Sequence, residues 1–165
     1  MRSHIVVCLA VAAGFALGMA AEAMRVSASN SDTAHVTGIG GVFFKAHEPQ
    51  KLAEWYKQHL GVGFQSGGNS PNAPAFSPFE WTEKDGGKPG ATIFAIFSEK
   101  SKYFDPSNAP FMINFRVTDL DRLLAQLKQD GVTVDAKTEN APNGKFGWAM
   151  DPEGNRIELW EPNGK

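Results

Sequence analysis

The feature that most constrains this chain is a pattern that occurs twice. A β-rich run, Gly38–Ala46, is broken by His47-Glu-Pro49 and followed by Leu52, Trp55, Tyr56 and Leu60 at helical spacing. Gly61 is placed to end that helix. The same order returns later. Phe111–Val117 reads as a strand, Thr118 or Asp119 can cap the next helix, and Leu120, Leu123, Leu124 and Leu127 form an i, i+3, i+4, i+7 stripe ending at Gly131. Each helix is followed by three strand-like runs. In the first half these are Val62–Gln65, Ala75–Thr82 and Ala91–Phe97; in the second, Val132–Val134, Phe146–Met150 and Arg156–Trp160. Ser66–Pro74, Glu99–Pro110 and Asp135–Lys145 read as loops. A strand, a helix and three strands, repeated, is an internal duplication.

The last strand is the most sharply patterned. Asp151-Pro-Glu-Gly-Asn155 makes a tight turn, since proline presets one φ and glycine tolerates the positive φ of the return. Arg156-Ile-Glu-Leu-Trp160 then alternates, so Ile157 and Leu159 share one face while Arg156, Glu158 and Trp160 share the other. The strand before each helix is also two-faced. Val42, Phe44 and Ala46 oppose Gly41, Phe43 and Lys45, and Ile113, Phe115 and Val117 oppose Met112, Asn114 and Arg116. The aliphatic faces are expected to pack on the helices, because burying apolar area is worth about 25 cal/mol per Å2. The mixed faces then line a shared concave surface.

With 165 residues the length suits one domain with a sizeable core. The formal net charge of −2 gives no reason to expect nucleic acid or an anionic membrane as partner. The N-terminus differs from the rest. Arg2, an uncharged run from Ile5 to Ala21 and the small-x-small pattern Ala21-Glu-Ala23 form a secretory signal over residues 1–23, the alternative being a retained anchor. Residues 24–37 form a polar lead-in and 38–162 the domain. The expected location is secreted or periplasmic, with no membrane association after signal removal. Cys8 lies in the signal, so the mature chain has no thiol for a disulfide or for nucleophilic chemistry.

His59-Leu-Gly61, Val117-Thr-Asp-Leu120 and above all Asp151-Pro-Glu-Gly-Asn-Arg-Ile-Glu-Leu159 resemble the vicinal oxygen chelate superfamily, the glyoxalase/bleomycin-resistance/extradiol-dioxygenase group. The resemblance spans about Gly38 to Pro162. It implies an α+β fold, two βαβββ modules forming a curved half-barrel sheet around a pocket with helices outside. Homodimers through sheet edges are common in that group.

The group's enzymes hold a divalent metal through His, Glu or Gln at four strand positions. Carried over, Glu158 falls on the last, the first falls on Gly41, and the second-half position falls on or near Met112; the Ala91–Phe97 strand offers no acid or imidazole. No cofactor is therefore expected, Glu158 being a metal ligand only if a metal binds. His35, His47 and His59 read as surface or capping residues, with a displaced His47–Glu158 site only if the loop folds inward. The inward faces supply Lys45, Asn114, Arg116, Arg156 and Glu158, walled by Phe43, Trp148 and Trp160. Lys45 and Arg116 hold equivalent places in the two halves and can converge on an anionic ligand, or neutralise Glu158, or reach solvent. Glu158 can act as a general base or as a structural partner of these cations. Tyr103-Phe104 is either a lid or an aromatic plug. Two functions follow: a non-catalytic small-molecule binder, like the group's drug-sequestering branch, or a lyase, isomerase or dioxygenase-type enzyme using Glu158. Classical glyoxalase I activity is not expected.

Overall fold

The computed structural model describes residues 34–82 and 89–163. The expected signal, residues 1–23, and most of the expected lead-in lie outside the described residues. The elements are β1 (Val36–Ala46), α1 (Pro49–Leu60), β2 (Gln65–Ser66), β3 (Ala75–Thr82), β4 (Pro89–Ser98), β5 (Phe111–Val117), α2 (Leu120–Gln129), β6 (Glu139–Ala141), β7 (Gly144–Met150) and β8 (Arg156–Pro162). None of the described helices is long and apolar enough to cross a membrane.

The duplication is real in space. The strands form one eight-stranded sheet in the order β2-β3-β4-β1-β5-β8-β7-β6, a half-barrel with the two modules meeting at β1 and β5. Within each module the first and last strands run parallel, β1 beside β4 and β5 beside β8, because the intervening helix returns the chain in the same direction. The two modules meet antiparallel, with Val42 opposite Ile113.

Local chemistry sets the helix ends. Pro49 opens α1 without a side-chain cap, and Gly61 closes it in the left-handed region at φ 70°. At α2 the cap is Asp119, whose carboxylate accepts from Arg122 N at 3.1 Å. Both helices cover the convex face. Leu120 and Leu124 pack with Val117 and Leu159, and Ala53 packs with Ala75 and Ile96 while Phe44, Leu52 and Tyr56 fill around them. Burying a leucine completely contributes about 1.5–3 kcal/mol, so Leu120, with no exposed surface, anchors α2.

Some expectations change. Val42 shares its strand face with Phe44 yet is 38% exposed, because α1 covers the Phe44 end of β1. β1 begins at Val36, two residues inside the expected lead-in. The short strand expected at Val132–Val134 is a single bridge from Val134 to Ala149, and the ladder partner of β7 is instead Glu139–Ala141, inside a stretch read as loop. β2 is only Gln65–Ser66, rather than Val62–Gln65. A two-residue strand carries no periodicity from which its position can be read.

Candidate functional site

Alternation on β5 and β8 delivers two polar side chains to one point on the concave face. The register pairs Asn114 with Glu158, and Asn114 Nδ2 donates to Glu158 Oε1 at 2.6 Å. On the next strand, Trp148 is paired with Glu158, and its indole Nε1 donates to Oε2 at 2.9 Å. The third donor comes from outside the sheet. The loop before β5 folds over one end of the half-barrel, where Phe104 is fully buried, and Tyr103 donates its hydroxyl to Glu158 Oε2. Tyr103 stacks on Phe97 with centroids 5.3 Å apart, while Phe104 meets the same ring edge-on. Tyr103-Phe104 is therefore a plug at its second residue and a site residue at its first.

Glu158 is 1% exposed. Burial pushes its pKa above the ordinary carboxylate value, against which the bonds from Tyr103, Asn114 and Trp148 stabilise the charged form. Burial, and then the charge of Glu158, push the Tyr103 hydroxyl far above its usual range. Three neutral donors thus hold a carboxylate that makes no salt bridge among the described residues.

Above this carboxylate lies a cavity of about 400 Å3. Its walls are mostly apolar, with Phe43, Ile93, Phe97, Phe146 and Trp160 around the polar group of Glu158, Asn114 and Tyr103. Few convergent polar groups in an apolar hollow is the usual composition of a small-molecule site. The hollow reaches the sheet backbone at Gly40, where a bulge interrupts the β1–β5 register between Ile39 and Gly41. A Cβ on Gly40 would lie 2.0 Å from Asn114 Oδ1 and 2.9 Å from Trp160, so glycine is what admits both side chains.

Of the expected site residues, Glu158, Asn114, Phe43 and Trp160 line this one cavity, and Trp148 supports it from behind. The three cations are elsewhere. Lys45 and Arg116 do not converge. Antiparallel β1 and β5 put Arg116 opposite Gly38, so it lies on the order of 20 Å along the sheet from Lys45, seven residues further on at about 3.3 Å each. Equivalent places in two modules related by a two-fold arrangement are opposite ends of the sheet. Lys45 Nζ sits 5.0 Å over the Phe104 ring. Arg156 binds the Tyr103 carbonyl through Nη1, pairs with Asp135 Oδ2 at 2.5 Å and stacks on Trp148 at 4.9 Å, so it holds the Tyr103 loop in place. None of these cations pairs with Glu158. His47 is not brought to Glu158 either: its exposed ring pairs with Glu99 at 2.5 Å.

Sequence reasoning passed over two contributors, Tyr103 as a partner of Glu158 and Gly40 as the close approach. A tyrosine in an aperiodic loop and a glycine beside a bulge carry no alternation to reveal them.

Residues 41–160 match the model of the glyoxalase-like domain. The chain belongs to the glyoxalase-like domain family. None of the curated sequences compared with it matches. Among solved structures, the glyoxalase-like chain is similar in fold to methylmalonyl-CoA epimerase from Streptomyces coelicolor in complex with 2-nitronate-propionyl-CoA, with 19% identity and a TM-score of 0.60 over 79% of this chain and 100% of that one. It is similar also to methylmalonyl-CoA epimerase from Mycobacterium tuberculosis, with 21% identity and a TM-score of 0.53 over 78% of this chain and 90% of that one. At such identities the likeness is one of fold alone; the family match over residues 41–160 is what bears out the resemblance to the vicinal oxygen chelate superfamily.

Membership raises the question of the superfamily's divalent metal, and the donors present do not fit one. The register row through Glu158 runs Ile93, Gly41, Asn114, Glu158, which corrects the second-half position from Met112 to Asn114. Met112 is fully buried in the aromatic cluster. Ile93 and Gly41 offer no side-chain donor atom. Glu158 Oε2 already accepts from a phenol and an indole, which leaves Oε1, bonded once to Asn114, and the unpartnered Asn114 Oδ1 as the free oxygens of the row, two where a metal site takes three or four protein ligands. No group of three His, Cys, Asp or Glu suited to a metal occurs among the described residues.

Proposed function

We propose that this glyoxalase-like chain is an exported binder of a small organic molecule, held in the apolar hollow above Glu158 without a metal ion. One observation carries the reading: a fully buried carboxylate, held by three donor groups of the protein, forms the floor of an aromatic-walled cavity of about 400 Å3. A carboxylate arranged to hold a metal keeps its oxygens free for the ion; here Oε2 is committed to Tyr103 and Trp148, and Oε1 accepts from Asn114. Hydrogen-bonded this way, the four side chains fix the shape of the hollow before a ligand enters, which lowers the ordering cost of binding. The test is a thermal-shift screen of small organic alcohols, ketones and acids against the mature chain and Ala95→Phe. Ala95 lines the hollow and is almost fully buried, so the larger ring fills the space a ligand would use. Hits that vanish in Ala95→Phe support the reading. A screen without hits, or hits that persist in the filled variant, contradicts it. Export rests on residues 1–23, and a mature chain starting at Met24 in the extracytoplasmic fraction is the expected result.

A second reading, proton transfer without a metal, is favoured by the position of Tyr103. Its hydroxyl contacts Glu158 and also lines the hollow, so it stands between the acid and any ligand. Burial raises the Glu158 pKa and so makes its carboxylate a stronger base, which takes the α-proton of a bound ketone and returns one exchanged with solvent. Exchange of solvent deuterium into the α-carbon of a bound ketone, lost in Glu158→Gln, is the outcome this reading expects.

A further inference from the structure

A second cavity, of about 560 Å3, adjoins the first and shares Ala91, Asn143 and Trp160 with it. Arg116 is the charged side chain among its described lining residues. Its guanidinium lies 4.1 Å from the Trp81 ring, and Thr37 fixes its orientation, Oγ1 accepting from Nε at 3.0 Å and the carbonyl accepting from Nη2 at 3.3 Å. Nη1 is buried and has no hydrogen-bond partner among the described residues. No described carboxylate pairs with this arginine. A planar, oriented cation with an unused donor, stacked on an aromatic face, is the arrangement that recognises a carboxylate.

The inner hollow has the opposite character. Glu158 and the unpartnered Asn114 Oδ1 are both acceptors, and they would repel an anion. From this polarity we propose that the joined cavities take a small organic carboxylate, its acid group on Arg116 and its apolar, aromatic-sized body in the hollow above Glu158. Arg116 at the mouth then selects the charge, while Phe43, Phe97 and Phe146 select the body. Trp160, common to both cavities and stacked on Phe146 with centroids 6.2 Å apart, forms the shared wall along which the ligand lies.

The inference rests on the proposed function of the inner hollow, and one experiment separates the two. Calorimetric titration of the wild-type chain compares 2-naphthoate, 4-tert-butylbenzoate and 4-phenylbutyrate with their primary amides, which keep the body and lose the charge. At least one carboxylate is expected to bind about tenfold or more tighter than its amide, because pairing a desolvated charge dominates such contacts. Arg116→Gln, checked for an unaltered melting profile, is expected to remove that preference, and Arg116→Lys, which keeps the charge and lacks the arginine fork, to reduce it. Amides that bind as well as the acids overturn the carboxylate assignment and leave the hollow's role standing. Compounds of both kinds failing to bind overturn both.

Discussion

Tyr103 and Glu158, 55 positions apart, meet in a single hydrogen bond that ties the loop before β5 to the floor of the sheet. Burial favours the neutral form of both groups, and against it the bond favours ionised Glu158. It therefore sets both the local stability and the acidity of the site.

Tyr103→Phe removes this bond and keeps the ring stacked on Phe97. A hydrogen bond to a charged group contributes about 1.5–3 kcal/mol, and a loss of that size is expected in urea unfolding at neutral pH. The bond from Tyr103 favours ionised Glu158, so its removal moves the Glu158 pKa further upward. Infrared titration of the protonated carboxyl band reads that change. An unchanged band position and midpoint would show that the hydroxyl is not a partner of Glu158.

Glu158→Gln tests the pH dependence. The folded-state pKa of Glu158 lies above its ordinary value of 4.5, so the folded chain holds this proton after the unfolded chain has released it. The contribution to stability is fully present below about pH 4.5 and is lost as pH rises through the raised folded value. The loss amounts to about 1.4 kcal/mol for each pH unit that separates the folded and unfolded values. Relative to the glutamine variant, the wild type should lose stability over that rise and run parallel to it in acid. Urea unfolding from pH 4 to pH 8 supplies the comparison. Two parallel curves across the whole range would place Glu158 in an ordinary solvated setting.

Gly40→Ala places a methyl group against Asn114 and Trp160. Asn114 is held by its bond to Glu158 and cannot swing away freely, so a cost of about 1–3 kcal/mol is expected, with reduced binding in the hollow. Gly63→Ala is the control, since a Cβ there meets nothing within 4 Å. Denaturation midpoints of the two variants should separate clearly. Equal midpoints would mean that the close approach at Gly40 does not constrain the site.

How far the sequence foretold this site follows from which physical signals are local. Alternation is local, and it placed Asn114 and Glu158 on one face and Leu159 and Phe115 on the other. The repeat is nearly as plain, since strand, helix and glycine stop recur at almost the same spacing, 19 positions from Val42 to Gly61 and 18 from Ile113 to Gly131. Strand order and direction between modules are not local, which is why Lys45 and Arg116 were expected together and lie at opposite ends. A bulge leaves no mark on residue type either, so Gly40 was hidden behind Gly41. Tyr103 reaches the site through loop packing held by Arg156, an arrangement settled by tertiary contacts alone.

Everything proposed for this site requires that Glu158 be committed to protein donors and form the floor of a ligand hollow, with no place for a cation. Calorimetric titration of residues 24–165 with Zn2+, Ni2+, Mn2+ and Fe2+, beside Glu158→Gln, tests this most directly. The expected result is no micromolar binding by either protein. Micromolar binding of any of these ions by the wild type, lost in Glu158→Gln, would contradict it.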